Sequence, residues 1–334
     1  MKQPRYALRF GLLGAAFVIV LIGSVLIGRF SLSFGEMASL LGLSGKPVRE
    51  GADNVFFLIR LPRIAAAVLV GMALSCAGAA YQGMFRNPMV SPDVLGASTA
   101  AGFGAALGIL LGAGYFGISL IAFVFGLGAV LLTYTVSRFA KTNETVALIL
   151  SGMVISSLFS AGTSFIKLVA DTQEQLPAIT YWLMGSLASI KRQDVAFLAV
   201  PVLLGLLPLL LFSWRINLLT LDEDEAKSLG VNTTALRLAV ILCATLLTAS
   251  SVAVSGMIGW VGLIVPHICR MLFGYDYRRL LPACAVFGAA FLLLTDDIAR
   301  CATAGEIPIG ILTAFVGAPV FLWLILTGGG RRND

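Results

Sequence analysis

The chain has 334 residues, 58% hydrophobic and 12% charged, with a mean hydropathy of +0.95 and a formal net charge of +6. A soluble domain carries about twice that charged fraction, so this much apolar surface argues against a water-soluble core and equally against disorder. Apolar stretches that are continuous and not alternating argue against a β-barrel. Basic residues scattered at segment ends give no nucleic-acid footprint. The composition predicts an all-α polytopic membrane protein.

A spanning helix needs about 20 apolar residues to cross a hydrocarbon core roughly 30 Å thick. Phe10–Gly28 supplies one span and Ile64–Phe85 a second. Val94–Ser137 runs 44 residues without a charge and predicts two spans turning at Gly112-Ala113-Gly114. Thr145–Ile166 is the fifth and Val195–Trp214 the sixth. Leu238–Cys269 reads as one full span and a shorter one, broken near Gly256, Gly259 and Pro266. Leu280–Thr295 and Ile307–Thr327 bring the expected count to ten. Leu176–Ile190 is also uncharged, but it is short and carries Pro177, so it reads as interfacial or re-entrant. Residues 1–334 thus form one transmembrane unit, with an outer loop 29–63 and a cytoplasmic segment 217–237.

The positive-inside rule orients this arrangement. With the N-terminus in the cytoplasm, 14 of the 23 basic residues fall inside. Five of the other nine lie in or beside the loop from Arg29 to Arg63. Both termini are therefore expected in the cytoplasm, with the first span kept as an uncleaved helix. Gly96, Ala100, Gly104, Gly108 and Gly112 recur every four residues and predict a tight packing seam. Ile64–Gly108 and Leu238–Ala290 echo each other faintly, in the manner of an inverted repeat.

Little in the chain suggests chemistry. The five cysteines are isolated in sequence, and a single histidine, His267, assembles no metal cluster. His267 reads as a cap or an interhelical hydrogen-bonding residue. Charges fall at segment ends, which argues against an ion-coupled carrier. The absence of H-E-x-x-H and G-x-S-x-G argues against a membrane enzyme. A P-loop needs G-x-x-x-x-G-K-[ST], and the sole Gly-Lys, Gly45-Lys46, is followed by Pro47. Energy for uphill transport must come from another subunit. Asn217–Arg237 is where such a subunit would attach: Thr220 or Asp222 caps a short helix with an acidic first turn, and Gly230 ends it. A helix of two turns is too short to stand alone and should dock on something.

An ordered set of motifs runs through the chain. It comprises Arg60-Leu61-Pro62-Arg63, Gly78…Tyr81-Gln82-Gly83…Asn87-Pro88…Pro92…Leu95-Gly96, then Glu225-Ala226…Leu229-Gly230 and Gly259…Gly262-Leu263…Pro266-His267…Arg270. Asp297…Ala299-Arg300…Glu306-Ile307-Pro308-Ile309-Gly310 and Gly317-Ala318-Pro319 complete it. In this set the chain resembles the FecCD/BtuC-like permeases of ABC importers, the iron-siderophore, haem and vitamin B12 branch, from the first span to Leu326.

The resemblance implies a type II importer permease fold of ten helices in the inner membrane. It implies a homodimer (or a pair with a paralogous permease), two ABC ATPase subunits that bind ATP and Mg, and an extracytoplasmic binding protein. No cofactor is expected on this chain itself. Leu219–Gly230 would be the coupling helix, with Leu219, Leu221, Asp222, Glu225, Ala226, Leu229 and Gly230 facing the ATPase. Arg60, Arg63 and Arg300, which alone read as interfacial side chains, would pair with carboxylates of the binding protein through their planar forks. Asn143, Glu144, Thr145 and Val146 would mark the cytoplasmic gate, where Val146 departs from the family's small hydroxyl residue. Gln82, Asn87, Pro88, Pro266, His267 and Arg270 match structural motifs. An iron chelate is the expected cargo, with cobalamin, haem and molybdate as alternatives within the same machinery. A lone ion-coupled carrier is the alternative of a different class.

Overall fold

The computed structural model describes residues 3–28, 30, 33–40, 42–44, 48–221, 223–303 and 305–328. Among them the only regular structure is helical. In chain order the α-helices are α1 (Gln3–Leu26), α2 (Phe34–Leu40), α3 (Ala52–Asn54), α4 (Leu61–Met84), α5 (Ala97–Leu110), α6 (Tyr115–Phe139) and α7 (Glu144–Val169). They continue with α8 (Gln175–Leu183), α9 (Arg192–Leu211), α10 (Ser213–Leu219), α11 (Glu223–Ser228), α12 (Thr233–Ser255), α13 (Val261–Phe273), α14 (Tyr277–Cys301) and α15 (Ile309–Gly328). Seven of the helical runs are long and apolar enough to cross a membrane, and three shorter apolar helices, Ala97–Leu110, Val261–Phe273 and Ile309–Trp323, accompany them. At 1.5 Å per residue, the 13 residues of α13 reach only about 20 Å.

Helix α3 runs into α4 through a π-helical turn, Val55–Arg60, whose last step has the Leu61 N–H reaching back to the Phe56 carbonyl. Pro62, which has no N–H to give, sits in the first turn of α4 where that loss costs least. The predicted turn at Gly112–Gly114 separates α5 from α6, and the predicted break at Gly256 separates α12 from α13. Pro266 lies inside α13 and does not break it. The uncharged 176–190 stretch is the nine-residue α8 with Pro177 in its first turn, followed by a turn at Gly185.

The core is built on α4, the most enclosed of the early helices, and α14 runs antiparallel along it. Gly71 faces Gly288, the Ser75 hydroxyl donates to the Cys284 carbonyl at 2.8 Å, and Gly83 faces Tyr277. A Cβ at Gly71 or Gly288 would overlap the facing backbone, as would one at Gly78 against Gly262 of α13. Close backbone approach of this kind substitutes for the hydrophobic drive that lipid removes. Tyr81 of α4 closes onto α12, its hydroxyl 3.2 Å from Thr245 Oγ1. Of the predicted glycine seam, Gly104 and Gly108 do pack α5 against α6, whereas Gly96 abuts Ser156 of α7 and Gly112 lies in the turn.

Candidate functional site

Two clusters of polar side chains lie at opposite ends of the helix pack, and together they contain most of the residues singled out in the sequence.

At the first end, α1 stops and α4 starts. Arg63 forks onto Asp296 of α14, with Nε and Nη2 within 2.9–3.0 Å of the carboxylate oxygens, and its Nη1 lies 2.9 Å from Glu306 Oε2. Arg300 donates to Asp297 and, at 2.9 Å, to the Ser24 hydroxyl; Ser24 in turn donates to Asp297 at 2.7 Å. Among the described residues Arg60 has no carboxylate as a hydrogen-bond partner. It donates to the carbonyls of Val25, Leu26 and Phe30, at the C-terminus of α1 where a cation is favoured. The three arginines are 4–6% exposed. The sequence reading has them as interfacial side chains on their own, and as partners of a binding protein's carboxylates by the resemblance. In the structure they are turned inward, because Asp296, Asp297 and the α1 carbonyls lie within reach of their forks. Beside them Glu36 of α2 accepts from Arg49 at 3.0 Å and from the Ser33 N–H and hydroxyl. The Arg49 bond above all, then those from Ser33, holds the Glu36 carboxyl down at about 2.

At the other end, the segment after α9 folds against the start of α14. Asn217 of α10 donates to Asp276 Oδ1 at 3.0 Å and accepts the Tyr277 N–H at 2.9 Å. Arg278 wraps the Asp276 carboxylate and, with the Asn217 amide, lowers its pKa to about 2. Arg86 Nε donates to the Leu219 carbonyl at 3.1 Å, tying the end of α4 to this segment. Leu219 and Ala226 are buried, Leu221 is half-buried, and Glu225 and Leu229 are exposed. Asp222 lies outside the described residues. Thr220 does not cap α11: its hydroxyl donates back to the Asn217 carbonyl and closes α10. Gly230 adopts φ +77°, and the flanking Val231 N–H returns to the Ala226 carbonyl at 3.3 Å, which is a glycine-closed helix end. Beneath it a groove of about 450 Å³ opens between Trp214, Arg215, Leu229 and Ala235.

The expected gate residues are at this same end. Asn143 caps α7 by accepting the Thr145 N–H at 2.9 Å, and Glu144 pairs with Arg237 of α12 at 2.9 Å. Thr145 is half-buried and Val146 exposed. Gln82 donates to the Val90 carbonyl at 3.1 Å, and Asn87 accepts the Met89 N–H, so the Asn87-Pro88 turn is held by its own side chains. His267 is half-buried inside α13, and its imidazole makes no hydrogen bond among the described residues. Pro266 and Arg270 are buried beside it.

Sequence reasoning missed Asn217, Asp276 and Asp296. Asp296 and Asp297 stand beside Arg300 in the sequence, and that charge run near the end of an apolar stretch was the available signal. Asn217 offered none.

These features define a polytopic α-helical membrane protein with a short helix docked at one end of its pack. The chain belongs to the FecCD transport family, whose model matches residues 16–327. It is 44% identical over 323 residues to the molybdate import system permease protein MolB of Haemophilus influenzae, covering 95% of each chain. It is 37% identical over 338 residues to the hemin transport system permease protein HmuU of Yersinia pestis, covering 99% of this chain and 98% of that one. A solved structure of a protein assigned to the metal-chelate type of ABC transporter, in an inward-facing conformation, superposes with a TM-score of 0.87. The two are 42% identical, and the match covers 95% of this chain and 98% of that one.

Proposed function

We propose that the chain is the permease subunit of an ATP-driven importer in the cytoplasmic membrane, and that its cargo is an iron chelate handed over by an extracytoplasmic binding protein. The near-full-length match to a metal-chelate type transporter at 42% identity carries this reading. In it the seven long and three shorter apolar helices make ten crossings with both termini inside. Two copies line the path, and ATP and Mg are bound by partner ATPases against which the Leu219–Gly230 segment sits. The exposed Glu225 and Leu229, with the groove beneath Gly230, supply a surface for that contact. Molybdate is the second cargo, favoured by the 44% identity to a molybdate permease.

The test is reconstitution of the complex in proteoliposomes with its binding protein, comparing uptake of iron–siderophore, hemin and molybdate. Uptake that requires ATP and is lost in Gly230→Trp and Glu225→Ala supports the permease reading, and the accumulated cargo selects among the three. Uptake by the chain alone without ATP, unaffected by either substitution, would establish a lone carrier instead.

A further inference from the structure

Between α6 and α12 runs a groove of about 290 Å³, walled by Leu127, Leu131 and Tyr134 on one side and Leu238, Leu242 and Leu246 on the other. Its walls are almost wholly apolar. Leu131 and Leu242 are 55% and 45% exposed, so it opens to the surroundings and not into the core. On α6, Leu127, Leu131, Tyr134 and Arg138 are spaced by four, three and four residues, which places them on one face of the helix. Arg138 is exposed and lies one turn beyond Tyr134, where the groove ends; the exposed Lys141 follows in the next loop. Glu144, the first residue of α7, is already paired with Arg237 beside Leu238. Arg138 and Lys141 make the α6 side of the groove mouth positive. The Tyr134 hydroxyl makes no hydrogen bond among the described residues.

We propose that this groove binds an anionic phospholipid of the leaflet that faces the Asn217–Asp276 end, with one acyl chain between α6 and α12 and the phosphate on Arg138. The division of labour follows from the solvent. An apolar groove in hydrocarbon gains little by exchanging one acyl chain for another, so shape holds the chain. Charge must supply the choice of headgroup, and a basic residue at the membrane surface favours an anionic lipid. From Leu238 to Leu246 the wall is about 12 Å long, enough for the proximal half of an acyl chain.

The test uses the full-length chain purified in mild detergent together with any subunits that stay attached. It is exposed to mixed micelles of phosphatidylglycerol and phosphatidylcholine with matched chains, and retained lipid is counted by native mass spectrometry. Phosphatidylglycerol should be retained about fivefold over phosphatidylcholine. Arg138→Gln, an exposed substitution, should bring the ratio near one while leaving phosphatidylcholine retention unchanged. Leu131→Trp, which fills the groove, should lower both. Equal retention by the unaltered chain, or an undiminished ratio in Arg138→Gln, overturns the proposal. So does a Leu131→Trp chain that loses self-association while its lipid count is unchanged, since the groove would then seat a second copy.

Discussion

Arg63 is the side chain whose loss should be felt most. It answers two carboxylates, and Asp296 is wholly buried. Breaking a buried pair from one side leaves a stranded charge, at a cost of about 3–5 kcal/mol. Arg63→Met is therefore expected to lower the detergent melting temperature sharply, whereas Arg63→Met with Asp296→Leu should recover much of the loss; scanning fluorimetry of the two variants checks this. Asp276 predicts an acid limit. Its folded pKa, about 2, lies below the ordinary 3.8, so the stability it lends is complete above that value and is lost as pH falls toward about 2. The Asn217 tether should loosen over that window, reported by Trp214 fluorescence, and the pH dependence should be absent in Asp276→Asn.

Among the elements, the α4–α14 and α4–α13 contacts leave least room. A Cβ at Gly78 would lie inside the backbone of Gly262, so the helices must part to admit any side chain. Gly78→Leu is expected to cost more than the roughly 1–3 kcal/mol of ordinary overpacking and to abolish the monodisperse peak in size exclusion. Gly128→Leu, at a position with open space around it, should leave that peak intact. The glycines involved were visible in the sequence, but their partners were not: Gly78 and Gly262 meet across 184 positions of chain, a separation that no local pattern encodes. The helices themselves were legible because lipid demands unbroken apolar runs, and the turn at Gly112–Gly114 and the break at Gly256 came with them. The inward turn of Arg60, Arg63 and Arg300 was not legible. Arg63 and Asp296 are 233 positions apart, and an arginine at a helix end looks the same whether it faces water or a buried carboxylate.

For the whole molecule, the two polar ends predict which cysteine an impermeant reagent can reach. Cys76, Cys269 and Cys284 are buried, and Cys301 is exposed at the end that holds Arg63 and Arg300. A membrane-impermeant maleimide added outside intact spheroplasts should label the chain, and Cys301→Ser should remove that labelling. Labelling that appears only after the membrane is opened would reverse the orientation. The motif set was legible in sequence at this scale because it is ordered along the entire chain, whereas cargo was not, since relatives named for molybdate and hemin are both similar over nearly its full length.

Helix α1 is gripped at both tips. Arg9 reaches the Leu272 carbonyl and Phe10 stacks near Phe273 at one end, while Ser24 and the carbonyls that follow are taken by Arg60, Asp297 and Arg300 at the other. Between those grips it is the least enclosed of the long helices. Helix α1 thus waits for α14, made much later, before most of its fastenings exist. Until α14 is inserted, α1 has the bilayer, Arg60 and its contacts with Leu272 and Phe273 at the end of α13, and lacks Asp297 and Arg300 at its other tip, so a chain interrupted before Asp297 should carry a first helix that proteases and quality-control machinery can pull away more readily.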